Sequence, residues 1–146
     1  MTRSWAEVPL SLYSIPVVWV LAMVPHAQKN IMAASLAPRG TVQRVQGDKE
    51  LDTELAQRIA RYEGAHQNGM EVFPLWSVAV AVGNICQVGN QTLNICSVLF
   101  VTLRIIYNYI YANQRTRAQA ATRSLTWWAG IVVSMFLIIR GAVAQT

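Results

Sequence analysis

The sequence predicts an all-α integral membrane protein, a bundle of four transmembrane helices in a single domain over residues 1–146, and three observations carry that prediction. Hydrophobic residues make up 53% of the chain and charged residues 13%, with a mean hydropathy of +0.30; a soluble domain carries about twice that share of charge. The apolar residues fall into four blocks, Leu10–Val24, Val72–Val88, Leu93–Tyr111 and Leu125–Ala144. Each is near the length of about 17 to 25 residues that a helix needs to cross a bilayer core. The fourth block contains LTWWAGIVVSMFLII, which has no charge, whereas a helix of a soluble bundle returns to polar residues every three or four positions.

The first helix is expected over residues 10–28. Pro16 and Pro25 interrupt it, but proline is tolerated in a span where neighbouring helices satisfy the freed carbonyls. No basic segment abuts this block and no small-x-small cleavage pattern follows it, so a retained helix is expected rather than a signal peptide. Residues 33–53, with Pro38, Gly40, Gly47 and the run DKELDTE, read as a polar loop. Asp52 or Thr53 then caps a second helix that starts in water and spans 66–88. The third span is expected over 93–112 and the fourth over 124–144, joined by the polar segment Ala112–Thr122. Cys86 and Cys96 flank the short second connection and read as small thiols at helix ends; a disulfide is not implied.

The net charge of +5 and pI near 9.7 do not point to nucleic acid, because the basic residues form no dense tract. They flank the apolar blocks instead. Lys29, Arg39, Arg44, Lys49, Arg115, Arg117 and Arg123 lie in or beside the first and third connections, against Arg3 and Arg140 on the other side. Seven against two places those connections in the cytosol and both termini opposite.

Two polar stripes carry the candidate chemistry. In the second helix Arg61, Asn68 and Glu71 fall within an arc of about 80°, and Arg58 extends the stripe toward the cytosol, while Glu63 and His66 point to other faces. In the third helix Arg104, Tyr107 and Tyr111 fall within about 60°. A charge inside an apolar span must face protein or a water-filled cavity. Glu71 and Arg104 are therefore expected around one polar cavity at the cytosolic edge, either as an internal ion pair or as binding groups. Tyr13 and Tyr109 read as interfacial anchors.

The segment RIARYEGAHQNGMEVFPL, followed in the third block by RIIYNYIY, resembles the MAPEG family, the membrane-associated proteins of eicosanoid and glutathione metabolism that include microsomal glutathione transferases and leukotriene C4 synthase. The resemblance covers nearly the whole chain. Its most specific parts are N-x-x-E-x-F-P, here Asn68, Glu71, Phe73 and Pro74, and R-x-x-Y-x-x-x-Y, here Arg104, Tyr107 and Tyr111. The AHQNG-x-E-x-FP version is similar to the small branch found widely in fungi and bacteria. The resemblance implies a homotrimer in the endoplasmic reticulum, with glutathione bound at each subunit interface near the cytosolic face and its thiolate attacking an electrophile delivered from the lipid. Carried over, Asn68 and Glu71 bind the polar groups of the peptide, with Arg104, Tyr107 and Tyr111 contacting it from the next helix. Arginines and a carboxylate suit a dianion that also carries an ammonium.

This chain departs from that pattern at two positions. Gly64 stands where leukotriene C4 synthase has an arginine, leaving Arg61 or Arg58 to replace that carboxylate clamp. The arginine that lowers the thiol pKa there falls on Ala118, with Arg115, Arg117 and Arg123 nearby as substitutes. Three functions stay open: a glutathione-dependent transferase, peroxidase or isomerase acting on a lipophilic electrophile; a glutathione-independent isomerase or cyclase of specialised metabolism, using Glu71, Tyr107 or an arginine as acid or base; and a non-catalytic membrane partner. Gly64, Ala65 and Gly69 are expected to let subunits approach closely.

Overall fold

A computed structural model of the protein describes residues 4–5, 7–36 and 49–146. The described residues form four helices: α1 (Leu10–Leu36), α2 (Lys49–Ile85), α3 (Asn90–Asn113) and α4 (Arg117–Val143). Three of them hold segments long and apolar enough to cross a bilayer, Leu10–Met32, Asn90–Asn113 and Arg117–Val143. The second helix is not among these, because its first half carries the charged and polar residues of the Arg61 stripe.

The helices run alternately up and down. Ser11 meets Asn94 and Leu21 meets Asn108, so α1 lies parallel to α3; Val82 lies beside Gly141, and Asn68 shares a cavity with Arg123, so α2 lies parallel to α4. A core of Val72, Trp76, Val80, Leu93, Phe100 and Leu137 fills the centre. There Trp76 and Phe100 stack with centroids 4.0 Å apart and planes 8° from parallel. Many apolar side chains remain exposed, among them Val17, Val20, Ile105, Val132 and Ile139, as lipid-facing positions should be.

Local chemistry sets where each helix begins and ends. Pro25 deprives the Leu21 carbonyl of its helical donor, and the Asn108 side-chain amide on α3 supplies one at 2.8 Å. The chain therefore remains helical through both prolines to Leu36, well past the expected end at residue 28. Likewise α2 begins at Lys49, so Asp52 and Thr53 lie within it and do not cap it. Of the expected 33–53 loop, the described parts are helical and residues 37–48, with Arg39 and Arg44, lie outside the described residues. The α2–α3 turn is a Schellman closure: Val88 N–H donates to Gly83 O at 2.9 Å and Gln87 N–H to Asn84 O at 3.1 Å, with Gln87 in the left-handed region at φ 57°.

The expected linker Ala112–Thr122 is mostly helix. Thr116 caps α4 by accepting from Gln119 N, while the Gln119 side chain accepts from the Thr116 N–H, a complete capping box. The T-x-x-Q spacing was the signal for this start at Arg117, ahead of the apolar run that opens at Leu125. Cys86 and Cys96 are free, Cys96 buried and Cys86 half-buried.

The small residues of α2 are used inside the protomer. A Cβ on Gly69 would sit 3.1 Å from the Ala22 Cα on α1, and one on Gly64 2.9 Å from the Tyr111 Cζ on α3; Ala65 is fully buried. The expectation that these residues serve contacts between subunits therefore has a competing use, since α1 and α3 occupy the space. Gly69→Ala should lower thermal stability in detergent by about 1 to 3 kcal/mol, because the clash is with α1 backbone and not with a movable side-chain tip. An unchanged melting temperature would show that α1 yields easily.

Candidate functional site

At the end of the bundle where α2 begins and α3 ends, the expected R-x-x-Y-x-x-x-Y stripe continues into α4 as a stacked column. The Arg104 Cζ lies 4.4 Å from the centre of the Tyr107 ring. Tyr107 and Tyr111 are tilted against each other at 5.6 Å, and the Arg123 Cζ lies 4.4 Å from the Tyr111 ring. One helical turn separates successive members on α3, so the 3.6-residue period alone aligns Arg104, Tyr107 and Tyr111. Arg123 joins by crossing from α4, where its Nη1 also donates to Gln114 Oε1 at 2.7 Å.

Arg104 is 4% exposed and its Nη2 has no hydrogen-bond partner among the described residues. Its neighbours include the Tyr107 ring and Gly69. Glu71 and Arg104 form no ion pair: among the described residues the salt bridges are Lys29–Glu63 and Arg115–Glu54. The internal-pair reading of the two charges thus finds no contact within the protomer. The Nε of Arg61 is also buried without a hydrogen-bond partner among the described residues.

A cavity of about 250 Å³ opens beside this column, lined by Asn68, Tyr107, Arg123, Ser124, Trp127 and Trp128. Asn68 donates its amide N–H back to Gly64 O at 2.8 Å, leaving its carbonyl oxygen as an acceptor beside the Tyr107 and Ser124 hydroxyls. Of the three arginines expected near the thiol, Arg123 lines this cavity, Arg115 is exposed and lies 3.8 Å from Glu54, and Arg117 is exposed on the first turn of α4. Trp127 was not legible as a site residue, because an apolar block rich in tryptophan reads first as lipid contact.

Glu71 stands elsewhere. It is exposed and lines a separate recess with Glu63, His66, Gln67 and Met70. On the helix it is about 60° from Asn68 but only about 40° from Gln67, so it belongs to the flank of the stripe and not its centre. The expectation that Glu63 and His66 face away from Glu71 is corrected accordingly. This recess borders α1. Lys29 Nζ meets Glu63 Oε2 at 2.6 Å, and that hydrogen bond holds the Glu63 carboxyl below its ordinary range. His66 and His26 rings lie 4.7 Å apart, and His66 Nδ1 is 2.9 Å from Ala22 O. A carbonyl only accepts, so Nδ1 carries the proton and the lone pair of neutral His66 is on Nε2.

The donors fit a polyanionic peptide. Among the described residues Arg104 and Arg61 each hold a buried N–H without a hydrogen-bond partner, and Glu71 is a carboxylate that forms no salt bridge. Such groups are costly near an apolar span until something pairs with them.

No curated protein and no solved structure matches the chain. The model of the MAPEG family matches it over residues 8–143. With that match covering nearly its whole length and three helices apolar enough to cross a bilayer, the chain is an integral membrane protein that belongs to the MAPEG family.

Proposed function

We propose that this protein is a membrane-bound glutathione-dependent transferase, peroxidase or isomerase that acts on a lipophilic electrophile at the interface of a homotrimer. The observation that carries the reading is Arg104, a buried cation inside a candidate span, stacked on Tyr107 and without a counter-ion among the described residues. A carboxylate of a bound peptide is the partner such a group lacks. Glu71 supports the interfacial part: it is exposed on the protomer, and in a membrane the subunit beside it must cover it. In this reading α2 is the fourth span, the connection between α1 and α2 is cytosolic and the membrane is that of the endoplasmic reticulum.

Bound glutathione supplies a thiol that reacts as thiolate. Arg104 and Arg61 hold its carboxylates, and Glu71 its α-ammonium. Asn68 and Tyr111 orient the backbone between them. Arg123, at the cavity wall, stabilises negative charge on sulfur, which matters because a free thiol is mostly protonated at pH 7. Tyr107 offers its hydroxyl to the developing charge on the electrophile. The aromatic walls Trp127 and Trp128 hold the apolar body of the electrophile and exclude water.

One observation favours a second reading, a glutathione-independent isomerase or cyclase in the same cavity. The Tyr111 hydroxyl fills the space in front of Gly64, so no arginine clamp fits there, and Arg123 is already engaged by Gln114 and Tyr111. Calorimetry of glutathione added to the detergent-purified protein separates the two. Saturable binding in the micromolar to millimolar range, with S-methylglutathione competing, is expected; no heat at any concentration removes the first reading.

A further inference from the structure

The cavity beside the arginine–tyrosine column is chemically one-sided. Among the described residues its wall holds two indole faces, a guanidinium, a phenol, a serine hydroxyl and the Asn68 amide, and no carboxylate. Ser124 spends its hydroxyl on Ala120 O at 3.1 Å, and the Arg123 guanidinium is turned to Gln114 and Tyr111. Trp127 is different. Its Nε1–H is shielded from solvent and meets no acceptor among the described residues, although the same residue lines the cavity and its neighbour Trp128 packs edge-on against it at 5.0 Å. Trp128 is 60% exposed, so the cavity is bordered on that side by an open apolar face. An indole N–H left unsatisfied in an apolar wall costs free energy that an arriving acceptor atom recovers, and a donor already stripped of water gives a larger return than an exposed one.

We propose that Trp127 is the specificity-determining donor for the lipophilic substrate: a small turn of the indole presents its N–H to an acceptor oxygen, a carbonyl, epoxide or peroxide, carried on an apolar body that lies against Trp128. The cavity thus selects neutral apolar molecules bearing one such oxygen over hydrocarbons of the same shape. The inference rests on the cavity's role as a lipophilic-substrate site, but not on glutathione.

Benzophenone and 1,1-diphenylethylene make the test, since they share a shape and differ by C=O against C=CH2. Their affinities for the trimer or protomer as purified are measured by equilibrium dialysis without glutathione, for the wild type and for Trp127→Phe, which keeps an aromatic wall and removes the donor. Partition into detergent is common to both proteins and cancels in the comparison. The ketone-to-alkene preference should fall about three- to tenfold in Trp127→Phe, the range of one hydrogen bond, while the alkene binds both proteins alike. A preference that is the same in both proteins, equal loss of both ligands, or failure of the wild type to bind either, overturns the proposal. Should Trp127→Phe not fold, the indole N–H band in the ultraviolet resonance Raman spectrum of the wild type decides: it should shift with the ketone and not with the alkene, and no shift overturns the assignment. A null result for glutathione in calorimetry leaves these outcomes unchanged, and a lost ketone preference leaves glutathione binding unchanged.

Discussion

Arg104→Met should abolish most of the affinity for glutathione while leaving the protein as stable as the wild type or more so. The two effects part because Arg104 is buried with one N–H unpartnered and no counter-ion among the described residues. A charge-assisted hydrogen bond to a carboxylate is worth about 1.5 to 3 kcal/mol, so the dissociation constant should rise about ten- to hundredfold. Removing an uncompensated cation from an apolar interior, by contrast, relieves a desolvation cost and is neutral or stabilising where the replacement fills the same space. Glu71→Gln should weaken glutathione by a smaller factor, since the carboxylate is exposed on the protomer. Titration calorimetry and thermal unfolding in one detergent measure both quantities. If Arg104→Met instead unfolds the protein, and Glu71→Gln on that background restores it, the two charges pair across subunits and Arg104 is scaffold.

The sequence carried the helix count and the alignment of Arg104, Tyr107 and Tyr111, because both depend on spacing along one helix. Helix ends were less legible. The first helix outlasts Pro25 through an amide of Asn108 that comes from another helix, and no local pattern announces such a partner. The start of α4 was legible in Thr116 and Gln119, but an expectation built on hydropathy placed it at the apolar run instead. The separation of Glu71 from Asn68 turns on how α2 is rotated against α1 and α3, which a 3.6-residue period leaves free. The same limit hid Arg123 as the fourth member of the column, and it hid Trp127, whose interest lies in an N–H without a partner and not in its type.

Asn94→Leu should be the most destabilising single change outside the hydrophobic core, and it should leave ligand affinity untouched. Asn94 is fully buried and sits near the end of the bundle opposite the cavity. The thirteen residues to Tyr107 span about 20 Å of helix. Its Oδ1 accepts from Ser11 N–H at 3.1 Å, one of the first N–H groups of α1, which have no partner within their own helix. Its Nδ2 donates to Trp5 O at 2.8 Å and Val8 O at 2.9 Å, fastening the segment that leads into α1. Around it Asn84 Nδ2 donates to Ser11 Oγ at 3.2 Å and Trp76 Nε1 to Ser14 Oγ at 3.1 Å, so one end of α1 is tied to both α2 and α3. Leucine keeps the branching of asparagine with bulkier methyl ends but satisfies none of these groups, and each buried group left without a partner costs about 1 to 3 kcal/mol. Water reaching the frayed end of α1 recovers part of this, so a net loss of about 2 to 4 kcal/mol is expected in thermal or denaturant unfolding. Hydrogen exchange should rise first at the amides of Ser11 to Ser14. A loss below about 0.5 kcal/mol, the level of an ordinary surface change, would mean that the Asn94 contacts do not hold α1 in place.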